Sequence, residues 1–145
     1  MIGNSPALAE ALGRFEGLYP ETIELSLGRV LNALELLGRP QDRLPPAKHV
    51  AGTNGKGSFS EVPADVLILE VGLGGSYDAT NVIDQPALSV ITPIDFDHKA
   101  FLGSDIRKIA GEKAGIIKSG RPALTAIQRK ICDDVIAKRA EDVGA

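Results

Sequence analysis

The chain has 145 residues, 43% of them hydrophobic and 24% charged, with a net charge of −3. That is enough for one domain around one core, with the balance of an ordinary globular protein. Its 16 Lys and Arg are scattered among 19 Asp and Glu, so no basic stripe marks a nucleic-acid face or a membrane surface. The longest apolar runs, such as 66–69, are far too short to span a bilayer. The opening Met1-Ile2-Gly3-Asn4-Ser5-Pro6 lacks the charged and apolar regions of a signal peptide. The lone Cys132 cannot close an internal disulfide, so a cytoplasmic protein is expected. Cys132 falls in a helical pattern with no base nearby, and is read as a spectator thiol.

The first predicted element is a helix, because Ile23, Leu27, Val30, Leu31, Leu34 and Leu37 recur on one stripe. Gly38 and Pro40 end it. A polar, proline-rich connector follows, Gln41-Asp42-Arg43-Leu44-Pro45-Pro46. His49-Val50-Ala51 then reads as a short strand running into Gly52-Thr53-Asn54-Gly55-Lys56-Gly57-Ser58. Three further strand-length apolar runs occupy 65–71, 87–92 and 122–127. Continuous apolar runs suit strands covered on both faces, hence a parallel sheet in an α/β fold. A helix capped by Ser104 and carrying Ile106, Ile109, Ala110, Ala114 and Ile117 precedes the last strand. A final helix covers about 129–143. This order is that of a doubly wound fold.

The glycine-rich loop 52–58 follows a strand directly. Its glycines allow N–H groups to turn inward as an anion nest. Lys56 would meet the β- and γ-phosphates of a nucleotide, and the Ser58 hydroxyl suits Mg²⁺. Gly57 intrudes between Lys56 and Ser58, so on spacing alone an ordinary Gly/Asn turn stays open. The second run, Gly72-Leu73-Gly74-Gly75, lacks the spacing and the acidic partner of a dinucleotide-binding loop. One connection is too short. A phosphate loop opens a helix, and parallel strands need a crossover of about a dozen residues. Only residues 59–64 separate loop from strand, so a segment is expected to be missing near Ser60-Glu61.

Taken together these motifs resemble the folylpolyglutamate synthase/dihydrofolate synthase family of the Mur ligase superfamily. Val50-Ala51-Gly52-Thr53-Asn54-Gly55-Lys56-Gly57-Ser58 is similar to its phosphate loop, extra glycine included. Leu69-Glu70-Val71-Gly72-Leu73-Gly74-Gly75-Ser76-Tyr77-Asp78-Ala79-Thr80-Asn81 is similar to its second signature, apart from Ser76-Tyr77. A third follows, Ile94-Asp95-Phe96-Asp97-His98 and Gly111-Glu112-Lys113-Ala114-Gly115. The family carries a longer stretch between the first two motifs and continues into a C-terminal domain. The chain is therefore expected to be a partial N-terminal ATP-binding domain, with helices and the phosphate loop in 1–60 and the remaining strands and helices in 61–145. The fold implied is a P-loop-containing, mostly parallel sheet with flanking helices, of the Mur-ligase central-domain type.

The resemblance implies an ATP-dependent ligase joining L-glutamate to dihydropteroate or folate through an acyl phosphate, with ATP and Mg²⁺ as cofactors. It implies nucleotide contacts at Gly52, Thr53, Asn54, Gly55, Lys56, Gly57 and Ser58. The metal set is Ser58, Glu70 and His98, and the catalytic set Lys56, His98 and Lys113, the last as a carbamylated lysine. Beside these stand plainer readings: Glu70 as a charged strand end, His98 as a loop histidine, Lys113 as a solvated lysine paired to Glu112 or Asp105. His49 is read as structural, and Asp78, Thr80 and Asn81 as residues that order their own loop. A monomer acting on small molecules is expected. A cell-wall peptide ligase and a truncated nucleotide-binding module without ligase activity are the alternatives.

Overall fold

The structure, a computed structural model, describes residues 26–53, 66–96 and 103–145. Helix α1 spans Gly28–Leu36 and breaks at Gly38, whose φ of 73° is a left-handed conformation that glycine tolerates. A 3₁₀ turn at Pro40–Arg43 leads into strand β1, Ala47–Ala51. Strands β2 (Leu67–Glu70) and β3 (Leu88–Ile91) follow, with a 3₁₀ turn at Ala79–Val82 between them. Helix α2 (Ile106–Ala114), strand β4 (Ala123–Thr125) and helix α3 (Lys130–Val143) complete the order.

The four strands form one parallel sheet in the order β2-β1-β3-β4. The α/β architecture expected from the apolar runs is present. All strands point the same way, so their carboxyl ends share one edge, where open α/β sheets place ligands. The register sets Val50 beside Glu70 and Val90, and Ala51 beside Ile91. The link from β1 to the neighbouring β2 is 52–66, which reaches the minimum length for a crossover once the loop itself is counted. Residues 54–65, and with them the expected gap near Ser60-Glu61, lie outside the described residues.

One sheet face is packed by α2 and α3. Ala51, Ile91, Ile109, Ala114, Ile117, Cys132 and Ile136 form its core, all 5% exposed or less. Burial of each isoleucine among them contributes about 1.5–3 kcal/mol. Cys132 is fully buried, and burial pushes its thiol pKa up, which suits an inert packing residue. Two expectations need correction. The cap of α2 is Asp105 and not Ser104: the Asp105 carboxylate accepts the Arg107 amide at 2.9 Å. The apolar stripe contributes no buried residue within α1, and Leu37 just past its end is 72% exposed, while Leu34 lines a groove with Pro40, Leu44, Leu69, Val82 and Ile83. No helix among the described residues is long and apolar enough to cross a membrane.

Candidate nucleotide and metal site

Strand β1 delivers its chain to the carboxyl edge at Gly52. The φ there is 147°, and a Cβ would stand 1.9 Å from the Thr92 hydroxyl oxygen, so only glycine fits. The next residue is stitched to the loop that follows β3. The Thr53 amide donates to the Pro93 carbonyl at 3.0 Å and its hydroxyl donates to the Asp95 carbonyl at 2.9 Å. That hydroxyl in turn accepts the Asp95 amide at 3.0 Å. Gln128 secures the same loop from the far side, accepting the Ile94 amide and donating to the Thr92 carbonyl. The strand that starts the phosphate loop and the segment leading toward His98 are thus fastened together at their roots.

Lys113 rises from α2 beneath this junction. It is 3% exposed, and its Nζ donates to the Gly52 carbonyl at 3.1 Å. The plainer reading of a solvated lysine is therefore wrong, because the Ala114 and Ile109 side of α2 faces the core and carries Lys113 inward with it. A buried amine is normally paired, and the Gly52 carbonyl is one of its partners.

Glu70 ends β2 in register with Val50, so it stands one strand spacing, about 5 Å, from β1, just before the loop begins. It is exposed at the edge. A carboxylate there is the hard oxygen ligand that Mg²⁺ prefers. Among the described residues no cluster of three His, Cys, Asp or Glu can hold a metal. Of the expected nucleotide and metal residues, Asn54, Gly55, Lys56, Gly57, Ser58 and His98 lie outside the described residues. The structure brings Gly52, Thr53 and Lys113 together, with Glu70 on the adjoining strand.

The second glycine run has a structural task. Gly75 lies against α2, where a Cβ would come 2.3 Å from the Glu112 carbonyl oxygen. The Ser76 amide donates to that same carbonyl at 2.9 Å. Asn81 donates to the Ser76 carbonyl at 2.9 Å. Asp78 organises the loop as expected: its carboxylate accepts from the Gly72, Leu73 and Thr80 amides at 2.9–3.0 Å and from the Thr80 hydroxyl at 2.6 Å. Burial alone would raise the Asp78 pKa, but the Thr80 hydroxyl and the three amides hold it below the usual carboxylate range. His49 is fully buried and structural as expected, with Nε2 2.8 Å from the Thr80 hydroxyl oxygen. Burial first, and the nearby Lys118 second, pull its pKa down to about 4.

The bonding roles of Thr92, Asp95 and Gln128 were not legible in the sequence. Their partners sit 34–42 residues away, and no local spacing signals such a pairing.

No family model matches the chain. The dihydrofolate synthase/folylpolyglutamate synthase of Mycobacterium tuberculosis is 53% identical over 73 residues, which are 48% of this chain and 15% of that protein. Among solved structures, Escherichia coli FolC in complex with DHPP and ADP superposes with a TM-score of 0.79 at 29% identity, covering 98% of this chain and 50% of that one. A folylpolyglutamate synthase in complex with AMPPCP and folate gives 0.80 at 25% identity, covering 94% and 52%. The chain thus spans about half the length of these solved relatives, and a smaller share of the curated one. In sequence and in fold, the chain is similar to proteins of the folylpolyglutamate synthase/dihydrofolate synthase family.

Proposed function

We propose that this chain carries the nucleotide-binding portion of an ATP-dependent ligase that joins L-glutamate to dihydropteroate or folate in folate biosynthesis. The observation that carries the reading is the junction at Gly52: a glycine that no side chain can replace, at the carboxyl end of a central parallel strand, tied from below by buried Lys113. Solved relatives hold ADP, AMPPCP, DHPP and folate.

In this reading the loop amides of 52–58 and the Lys56 ammonium take the negative charge of the β- and γ-phosphates. Glu70, with Ser58 and His98, would hold Mg²⁺, which supplies charge neutralisation on the phosphates. Transfer of the γ-phosphoryl group to the pteroate or folate carboxylate leaves an acyl phosphate and ADP; the glutamate amine then displaces phosphate and closes the amide. The chain's residues work by positioning and by stabilising charge, with no protein nucleophile. Lys113 either tethers Gly52 as an amine or, carbamylated, presents two oxygens at the same place; mass spectrometry of the peptide carrying residue 113 separates the two. The protein is read as a cytoplasmic monomer acting on small molecules, without nucleic-acid or membrane partners. A partial ATP-binding domain with a missing segment near Ser60-Glu61 remains the reading of its organisation.

A second reading is a nucleotide-binding module without ligase activity. Intact mass against the 15.2 kDa of this sequence, followed by an ADP-release assay, tests both. ADP release that requires both glutamate and a pteroate or folate supports the ligase. Nucleotide binding with no such release supports the module, and no nucleotide binding overturns both.

A further inference from the structure

The hydrogen bonds around Thr80 settle which nitrogen of His49 carries its proton. The Thr80 hydroxyl has a single hydrogen, and it is donated to Asp78 Oδ1 at 2.6 Å. The same oxygen lies 2.8 Å from His49 Nε2, so it accepts there and Nε2 is the protonated nitrogen. His49 Nδ1 is then a bare acceptor, and it is buried without a partner. The chain of bonds continues past Asp78, whose other oxygen accepts the amides of Gly72 and Leu73 at 3.0 and 2.9 Å. Those amides belong to the turn that begins two residues after Glu70. One relay therefore runs from the middle of β1, the strand that delivers Gly52, to the backbone just beyond the carboxyl end of β2.

We propose that His49 is a positioning residue: through Thr80 and Asp78 it fixes the backbone that follows Glu70, and so sets how the Glu70 carboxylate meets a divalent cation beside the phosphate loop. This rests on the metal role proposed above for Glu70. The relay explains why an unpaired ring nitrogen is tolerated in the core, since the other nitrogen locks two strands' worth of loop geometry. Asn81 and Lys118 brace the same loop from the opposite side, with Lys118 Nζ donating to the Asn81 carbonyl at 3.1 Å. Thr80 is the link that can be cut with least change of shape.

The test uses the full chain as Thr80→Val, Thr80→Ser, His49→Leu and His49→Gln variants. Two readouts are compared: amide hydrogen exchange at Gly72 and Leu73 against Ile117 as an internal reference, and Mn²⁺ affinity in the presence of a non-hydrolysable ATP analogue. Thr80→Val and His49→Leu should speed exchange at Gly72 and Leu73 by about tenfold or more, with Ile117 unchanged. They should weaken Mn²⁺ binding by about tenfold, while leaving affinity for the metal-free nucleotide as it was. Thr80→Ser, which keeps the hydroxyl, and His49→Gln, whose amide replaces the Nε2 donor, should restore both. Unchanged exchange at Gly72 and Leu73, a uniform rise at every amide, or unaltered Mn²⁺ affinity would each overturn the proposal. A wild-type chain that binds no Mn²⁺ with nucleotide would instead remove the ligase reading on which it rests, while the exchange data still decide whether the relay holds the loop.

Discussion

His49 in β1 and Gly52 just past its carboxyl end show two ways in which a single residue constrains this fold. For His49 the constraint is electrical. Its folded pKa of about 4 lies below the unfolded value of 6.5. Between these values the unfolded chain binds the extra proton, so acid favours unfolding. The stabilisation is complete above pH 6.5 and declines by up to about 3 kcal/mol as the pH falls to 4. Denaturant melts from pH 7 to 4 should show this slope, and His49→Gln should flatten it. Asp78, also depressed, adds its own loss only at lower pH, as its carboxylate becomes protonated. For Gly52 the constraint is steric. A methyl group there meets Thr92 at 1.9 Å on a backbone angle that side chains rarely adopt. Gly52→Ala should cost more than about 2 kcal/mol in a denaturant titration. A cost within error would mean that Thr92 yields and that the glycine serves only the ligand.

Among the elements, α2 does the most to assemble the site. Its buried side carries Ile109 and Ala110 into the core and Lys113 to the Gly52 carbonyl, while its last turn offers the Glu112 carbonyl to Ser76. Ile109→Ala should therefore cost about 2–5 kcal/mol, the usual range for a fully enclosed aliphatic side chain. Helix α1 is the contrast, since its Leu36 is 90% exposed. Leu36→Ala should move the unfolding midpoint by no more than about 0.5 kcal/mol. Much at this scale was legible in the sequence. Apolar runs located all four strands, and Gly38 with Pro40 marked the end of α1. The cap of α2 was missed because Ser104 and Asp105 are both good capping residues, and only the backbone turn decides between them. The burial of Lys113 was also hidden, since charge argues for solvent and only the packing of the α2 face shows otherwise.

For the whole molecule, the legible part was the set of motifs that lie close in sequence, and the hidden part was the set of contacts between them. Gly72-Leu73-Gly74-Gly75 looked like a weak dinucleotide loop. In the fold its tightest glycine makes room for the Glu112 carbonyl, a contact that no local pattern encodes. The same holds for Thr53 and Asp95, whose mutual bonds join two loops 42 residues apart. The parallel order β2-β1-β3-β4 gathers all these pieces at one edge. That convergence is what gives a nucleotide reading its weight, more than any one motif. The most direct test is a calorimetric titration of the full chain with Mg²⁺ and a non-hydrolysable ATP analogue, repeated for Lys56→Ala. Saturable binding that is weakened at least about tenfold by the loss of the lysine charge is expected. No saturable binding, or binding indifferent to Lys56, would contradict the assignment of 52–58 as the nucleotide loop.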